Sequence, residues 1–379
     1  MKIVVVCDVL GKKNNGTTIA AYNLINFLKS KGHDVKVVCC DEDKKDVEGF
    51  IILNKLNLGP LNKIIERNGV SLPRTDSNAI LDAFFECDIV HIMLPFPMGM
   101  TACKIAKKLG KPVTAGFHCQ AELVSSHLGL MNSNFVNKHI YKTFYRRLYQ
   151  YCDAIHYPTQ FICDVFENIV GTTNHYIISN GVNSNVKSKD ILKPKELEDK
   201  FVILSTGRLC KEKSHMVLLK ALAKSKYKDK IQLILAGQGP LQSKIEKFAK
   251  KNLTVKPIIK YFTRDEMIDV LNYSDLYVHP AEAELEGIAC LEALVCGLVP
   301  IVSDSERSAT KTFALTSNNL FKCNNHLDLR NKIDYWIEHP QEKKELKKQY
   351  LEFGDNFNQE DCMNKMEEMF NETINKRVN

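Results

Sequence analysis

The chain has 379 residues, enough for two α/β domains of about 180 residues each rather than one. Its 44% hydrophobic and 26% charged residues suit a globular protein with sizeable cores, and no stretch approaches the ~20 apolar residues needed to span a bilayer, so any membrane contact is expected to be peripheral. The net charge of +7 suits phosphates, nucleic acid or an anionic surface without choosing among them. Thirteen cysteines, an odd number with no C-x-x-C pair, read as reduced, mostly buried thiols of a cytoplasmic protein rather than a disulfide or metal framework.

In chain order, residues 3–7 form a first strand; the apolar run is too short for a signal peptide. A polar loop from Gly11 to Gly16 follows, then a helix from about Thr17 to Lys31. Further apolar runs at 35–39, 50–53, 89–93, 113–117 and 154–157 alternate with helical patterns, as in a parallel sheet covered on both faces. Residues 183–200, rich in Ser, Lys, Asp and Pro, read as a linker. A second sheet follows, with strands at 201–205, 232–236, 276–279 and 299–302. The expected division is a domain over 1–182, the linker, a second domain over 201–357 and a terminal helix over 358–379. In that helix Met363, Met366, Phe370 and Ile374 form a core-facing stripe.

Chemistry concentrates in the second half. After the strand at 276–279, the segment Glu284-Leu285-Glu286-Gly287-Ile288-Ala289-Cys290-Leu291-Glu292 leads from an acidic loop into a helix. Such a loop lies at the carboxyl end of a parallel strand, where α/β sheets place ligands. The backbone N–H groups of Gly287, Ile288 and Ala289 at the helix start suit a diphosphate. Glu284 and Glu292 can accept hydrogen bonds from hydroxyl groups at two depths of one cleft; the bland alternative is that the acids simply favour the helix N-terminus. The segment resembles the Glu-x7-Glu signature of family 4 (group 1) glycosyltransferases, with Glu286 where many members carry Phe. The resemblance implies that Glu292 holds the donor ribose and Glu284 the hexose.

A second element, Ser205-Thr206-Gly207-Arg208-Leu209-Cys210-Lys211-Glu212-Lys213, resembles the family's Gly-Arg-Leu…Glu-Lys segment. Gly207 lets the backbone turn near a ligand, and Arg208 and Lys213 would stabilise the departing diphosphate; alone, it could equally be a solvated basic turn. The turn at Ala236-Gly237-Gln238-Gly239-Pro240-Leu241 and the segment Ser179-Asn180-Gly181-Val182-Asn183 also fit the family, though each is an ordinary glycine turn by itself. In the first half, Gly16 and Thr17 close the loop that the resemblance sets against the donor diphosphate. That loop is neither a dinucleotide fingerprint nor a P-loop. His118 ends an apolar strand at the ligand rim, where the family often has His-Asp; here the sequence runs His118-Cys119-Gln120-Ala121-Glu122, and a structural role for the lone His stands beside a catalytic one.

The resemblance implies an α/β chain of GT-B type, two Rossmann-like domains with parallel sheets facing across a cleft. It further implies retaining hexosyl transfer from a nucleotide sugar, by the family's habits a UDP-sugar. No cofactor or metal is expected, since Arg208, Lys213 and the helix start can stabilise the leaving group. The expected acceptor is lipid-linked or a saccharide, as in glycolipid or surface polysaccharide synthesis. Residues 95–150 hold eight basic side chains against one acid, Glu122. Lys138, Lys142, Arg146 and Arg147 share a helix with Tyr141, Phe144, Tyr145, Leu148 and Tyr149, a pattern suited to an anionic membrane surface at the inner face of the cell membrane or to a core stripe with a solvated face. Nucleic acid is disfavoured, because no recognition motif accompanies the charge. Alternatives are a nonhydrolysing UDP-sugar 2-epimerase and a non-catalytic nucleotide-sugar-binding subunit.

Overall fold

The structure is a computed structural model that describes residues 1–8, 10, 16–57, 59 and 72–378; most of the loop from Gly11 to Gly16 lies outside them. The chain divides into two compact units, Met1–Asn180 with the residues from Glu360 onward, and Gly181–Gln359.

In the first unit the elements run β1 (Lys2–Val6), α1 (Gly16–Ser30), β2 (Asp34–Cys39), β3 (Phe50–Ile52), α2 (Ser77–Phe84), β4 (Ile89–Ile92), α3 (Pro97–Lys108), β5 (Val113–Gly116), α4 (Ala121–Ser126), α5 (Asn134–Arg147), β6 (Ala154–Tyr157), α6 (Gln160–Val170) and β7 (His175–Ile177). The strands form one parallel sheet in the order β3-β2-β1-β4-β5-β6-β7. Ile3, Val4, Val5 and Val6 are all buried, as a parallel strand covered on both faces requires. The order reverses between β1 and β4, and there Asp8 accepts from the N–H groups of Met98 (3.1 Å) and Gly99 (3.2 Å) at the start of α3.

The second unit continues with β8 (Phe201–Thr206), α7 (His215–Leu222), β9 (Ile231–Ala236), α8 (Gln242–Asn252), β10 (Ile258–Lys260), α9 (Arg264–Tyr273), β11 (Leu276–His279), α10 (Ile288–Val295), β12 (Pro300–Ser303), β13 (Leu320–Phe321), α11 (His326–Glu338) and α12 (Pro340–Gly354). Its sheet is also parallel, in the order β10-β9-β8-β11-β12-β13, and reverses between β8 and β11. Both units are therefore Rossmann-like, each with a crevice at its reversal point.

Residues 183–200, read from composition as a linker, pack with the second unit: Val186 and Leu197 join its core. Their polar neighbours are half-buried or exposed, so composition alone hid the contact. The last helix, α13 (Gln359–Val378), runs into the first unit. Met363, Met366 and Phe370 are buried, and the Phe370 ring meets His91 edge-on at 5.2 Å. Glu367 bonds to His33 at 2.7 Å, and Arg377 donates to the Gly110 carbonyl at 2.6 Å. All thirteen cysteines are free thiols, and only Cys152 and Cys323 are not buried. No helix among the described residues is long and apolar enough to cross a membrane.

Candidate active site

The reversal point of the second sheet fixes which loops can meet: the one leaving β8, residues 207–214, and the one leaving β11, residues 280–287. The first is tightly built. Gly207 has φ 130°, and Ser214, just before α7, is left-handed at φ 51° without being glycine, a local strain of about 1 kcal/mol or more. Behind it, the turn after β9 acts as a brace. Leu209 N–H donates to Gln238 O at 3.0 Å and Leu241 N–H to Leu209 O at 2.9 Å. A Cβ on Gly239 would stand 2.5 Å from Leu209 O. The Gly-x-Gly-Pro-Leu turn thus shapes the Arg208 segment from behind. The Lys213 side chain crosses back over Gly207, its Cε 3.7 Å from where a Cβ would be.

The loop after β11 is held from the other side. Glu282 N–H donates to Glu212 O at 2.7 Å, Arg307 bonds to the Glu282 carboxylate at 2.5 Å, and Glu284 forms a parallel bridge with Ser308. Gly287 then caps α10 at φ 88°, and a Cβ there would collide with Thr310 Cγ2. The helix begins at Ile288, so the N–H groups of Ile288 and Ala289 belong to its first turn, which lacks carbonyl partners one turn back.

These loops bring Lys213 and Glu284 together as an ion pair, and His279 joins them, its Nε2 3.1 Å from Glu284 Oε2. Burial alone would push the Glu284 carboxyl up, but the Lys213 ammonium and His279 outweigh it and hold it down at about 2. Lys213 is raised, burial being outweighed by Glu284. His279 is lowered, chiefly by burial, and is neutral. An ionised carboxylate only accepts, so Nε2 carries the His279 proton. Nδ1 is then the acceptor for the Tyr277 hydroxyl at 3.3 Å, and the Tyr277 oxygen accepts from Thr206 at 2.6 Å. The relay from Thr206 to Glu284 has one polarity throughout.

Glu292, on α10, pairs instead with Arg264 at the start of α9, Nη1 to Oε1 at 2.6 Å. Arg208 is half-buried on the β8 loop. Sequence reasoning missed Arg264, His279 and His215. The last starts α7 fully buried, and burial followed by Lys213 lowers it to about 3. His279 and His215 each stood beside a motif residue, but nothing in spacing showed which way they faced. A cavity of about 400 Å³ in this unit, lined by Lys224, Lys226, Arg330, Asp334 and Glu338, lies at the opposite strand ends, since Lys224 and Lys226 precede β9.

In the first unit, Gly16 opens α1 and the Thr17 hydroxyl donates to the His118 carbonyl at 3.3 Å. The His118 imidazole folds back over Gly116, where a Cβ would stand 2.5 Å from its Nε2. It meets the His156 ring edge-on at 5.5 Å. Burial, then His156 and His91, hold His118 well below the usual imidazole range. The acid four residues on, Glu122, is engaged by the Tyr141 hydroxyl at 2.6 Å, so the only acid in that stretch is already taken up by a core tyrosine.

On α5 Tyr141 and Phe144 are buried, whereas Lys138, Lys142, Arg146 and Arg147 are exposed; Leu148 and Tyr149, expected on the same helix, are buried in the turn just beyond it. Exposed apolar groups come from the turn before α5, Leu128 and Leu130, and from its second residue, Phe135, which is 83% exposed.

Two family models match the chain, described as Glycosyl transferases group 1 over residues 186–352 and Glycosyltransferase Family 4 over residues 14–186. An alpha-monoglucosyldiacylglycerol synthase of Streptococcus pneumoniae is 23% identical over 238 residues, 58% of this chain and 52% of the relative; the match thus spans about half of that protein. The Acholeplasma laidlawii synthase of the same name is 23% identical over 314 residues, 76% of each chain. Among solved structures, Anabaena HepE in complex with UDP and glucose shares 14% identity with a TM-score of 0.77, covering 98% of this chain and 100% of its own, a likeness of fold.

Proposed function

Because the chain belongs to the family 4 (group 1) glycosyltransferases of GT-B fold, we propose that it moves a hexose from a nucleotide sugar to a lipid-linked or saccharide acceptor, with retention of configuration and without a catalytic metal. The observation that carries this reading is the Lys213–Glu284–His279 cluster at the reversal point of the second sheet. A nucleotide sugar offers a diphosphate and hydroxyl groups to one crevice, and this crevice offers cations, helix-start N–H groups and an ionised carboxylate. Negative charge grows on the diphosphate as the anomeric bond breaks, and fixed positive groups there lower the barrier most. Arg208, Lys213 and the N–H groups from Gly287 to Ala289 are assigned that role.

In this reading Lys213 is held by Glu284 until a diphosphate competes for it, which leaves the Glu284 carboxylate to accept from a sugar hydroxyl. His279 fixes the carboxylate meanwhile. Glu292 takes the ribose, with Arg264 setting its rotamer, and Gly207, Gly16 and Thr17 are assigned to donor binding. His118, neutral in its buried setting, is assigned to the transfer step. UDP is the expected nucleotide, in keeping with the family and with the UDP complex of the Anabaena neighbour.

A lipid acceptor is supported by the two synthases, whose names specify a glucosyldiacylglycerol product. It is also supported by the exposed basic residues of α5 together with the exposed Leu128, Leu130 and Phe135 in the turn before it and at its start, a combination suited to an anionic bilayer surface.

The test is a panel of UDP- and GDP-sugars incubated with and without membrane lipid, reading nucleotide release and sugar on lipid. Release that requires the lipid, survives EDTA without stimulation by added Mg²⁺ or Mn²⁺, and falls at least tenfold in Arg208→Ala is expected. Sugar isomerised without any acceptor would overturn transfer in favour of epimerisation. Glu292→Ala is expected mainly to raise the donor KM.

A further inference from the structure

Cys163 and Glu167 stand four residues apart on α6 and so share one face of the helix. The helix stops at Gly171, φ 91°, and the chain returns at once to β7, the edge strand of the first sheet. This return sets His175 against the same helix face. Glu167 Oε1 accepts from Thr173 N–H at 3.0 Å, from the Thr173 hydroxyl at 2.7 Å and from His175 Nδ1 at 2.8 Å. The other ring nitrogen, His175 Nε2, lies 3.8 Å from Cys163 Sγ. One donor atom from each of the three side chains lies within 4.8 Å of the other two.

Thiolate and imidazole nitrogen together are donors suited to a borderline-soft divalent ion. Tetrahedral Zn²⁺ with its usual bond lengths separates sulfur from nitrogen by about 3.6 Å, close to the observed 3.8 Å. The Nδ1–carboxylate bond fixes the ring with Nε2 turned to the sulfur, as partners of metal-bound histidines do. The sulfur is buried, but the His175 and Glu167 side chains are 28% and 19% exposed, which leaves a way in.

We propose that Cys163 Sγ and His175 Nε2 bind a Zn²⁺ that clips edge strand β7 to α6, with Glu167 orienting the ring through Nδ1. It is structural and independent of the sugar chemistry in the second unit. The ion replaces the thiol proton, which passes to solvent, and two waters complete the tetrahedron.

The full-length protein, stripped with a chelator under reducing conditions, is titrated with Zn²⁺ against a chromophoric competitor, and with Co²⁺ while recording thiolate-to-metal absorption. One equivalent per chain is expected, with a Co²⁺–thiolate band and a rise in Tm on adding Zn²⁺. Cys163→Ser and His175→Gln should each weaken binding at least tenfold and abolish the Tm rise, with circular dichroism confirming that both variants fold. Equal affinity and stoichiometry in the double variant would place the ion on other thiols and overturn the site. Absence of the Co²⁺–thiolate band would do the same. If either single variant fails to fold, Glu167→Gln provides the comparison, with the same tenfold loss expected.

Discussion

At the scale of single residues, two glycine and acid positions have consequences out of proportion to their size. The His118 ring occupies the space a side chain at Gly116 would need. Gly116→Ala should therefore displace it and lower turnover about as much as His118→Ala, and the double variant should be no worse than either alone, since both remove one positioned group. Additive losses would separate the two. Asp8 is the second case. Burial, only partly offset by the N–H groups of Met98 and Gly99, raises its carboxyl from 3.8 to about 7. Between those values the unfolded chain releases a proton that the native state keeps. Stability from this group is thus complete below about pH 4 and lost as pH rises through about 7. Chemical denaturation across that range should show a falling slope in the native protein that Asp8→Asn lacks. Asp8 was visible in the sequence only as the residue after the first strand. Its meaning came from the β1–β4 reversal, which spacing does not reveal. The same holds for Arg264 and His279: the motif acids and bases were legible because strand ends in α/β sheets are where ligands bind, but their partners come from other loops and are fixed by topology.

At the scale of elements, the approach to α10 depends on one backbone conformation. Gly287→Ala meets both a left-handed φ and Thr310 Cγ2, and should cost about 2–4 kcal/mol. Thr310→Ser removes the colliding methyl while keeping a hydroxyl for Ser308, 2.8 Å away. Added to Gly287→Ala, it should restore about half of the loss in a urea titration, leaving the backbone part. The long buried strands were readable as continuous apolar runs, and their observed ends differ from the expected ones by about a residue. Of the four short edge strands, β3 was read as an apolar run, but β7, β10 and β13, two or three residues long, are too short to show a pattern. The basic helix α5 was recognised, but its aromatics pack inward, Tyr141 stacking on Phe117 at 6.2 Å and meeting Phe166 edge-on at 5.9 Å. The apolar groups left at the surface come instead from the turn before it and its first residues.

For the whole molecule, the two-unit α/β plan followed from length and from two sets of strand–helix alternation. The division of the chain did not, because Val186 and Leu197 lie in a stretch that composition reads as polar. If α5 and its neighbouring turn meet a membrane, vesicles rich in anionic lipid should float the protein at low salt. Leu128→Ser with Phe135→Ser should then release it at least fivefold without changing turnover on a soluble acceptor; equal flotation would point to another surface. The bridged segments at the limits of the second unit have a different kind of consequence. Val182 N–H donates to Phe357 O at 2.7 Å, Gln359 N–H donates back to Val182 O at 3.1 Å, and Gly181 abuts Gln359. The second unit is therefore a closed insert within the sequence of the first, with its two ends tied side by side. On the ribosome it is complete while α13 is still unsynthesised, so it can mature first, and the first sheet must wait with the ground under His91 uncovered until Phe370 emerges. A stalled or clipped chain lacking those last residues would be a finished half attached to an unfinished one, and quality control would meet the defect in the segment made first.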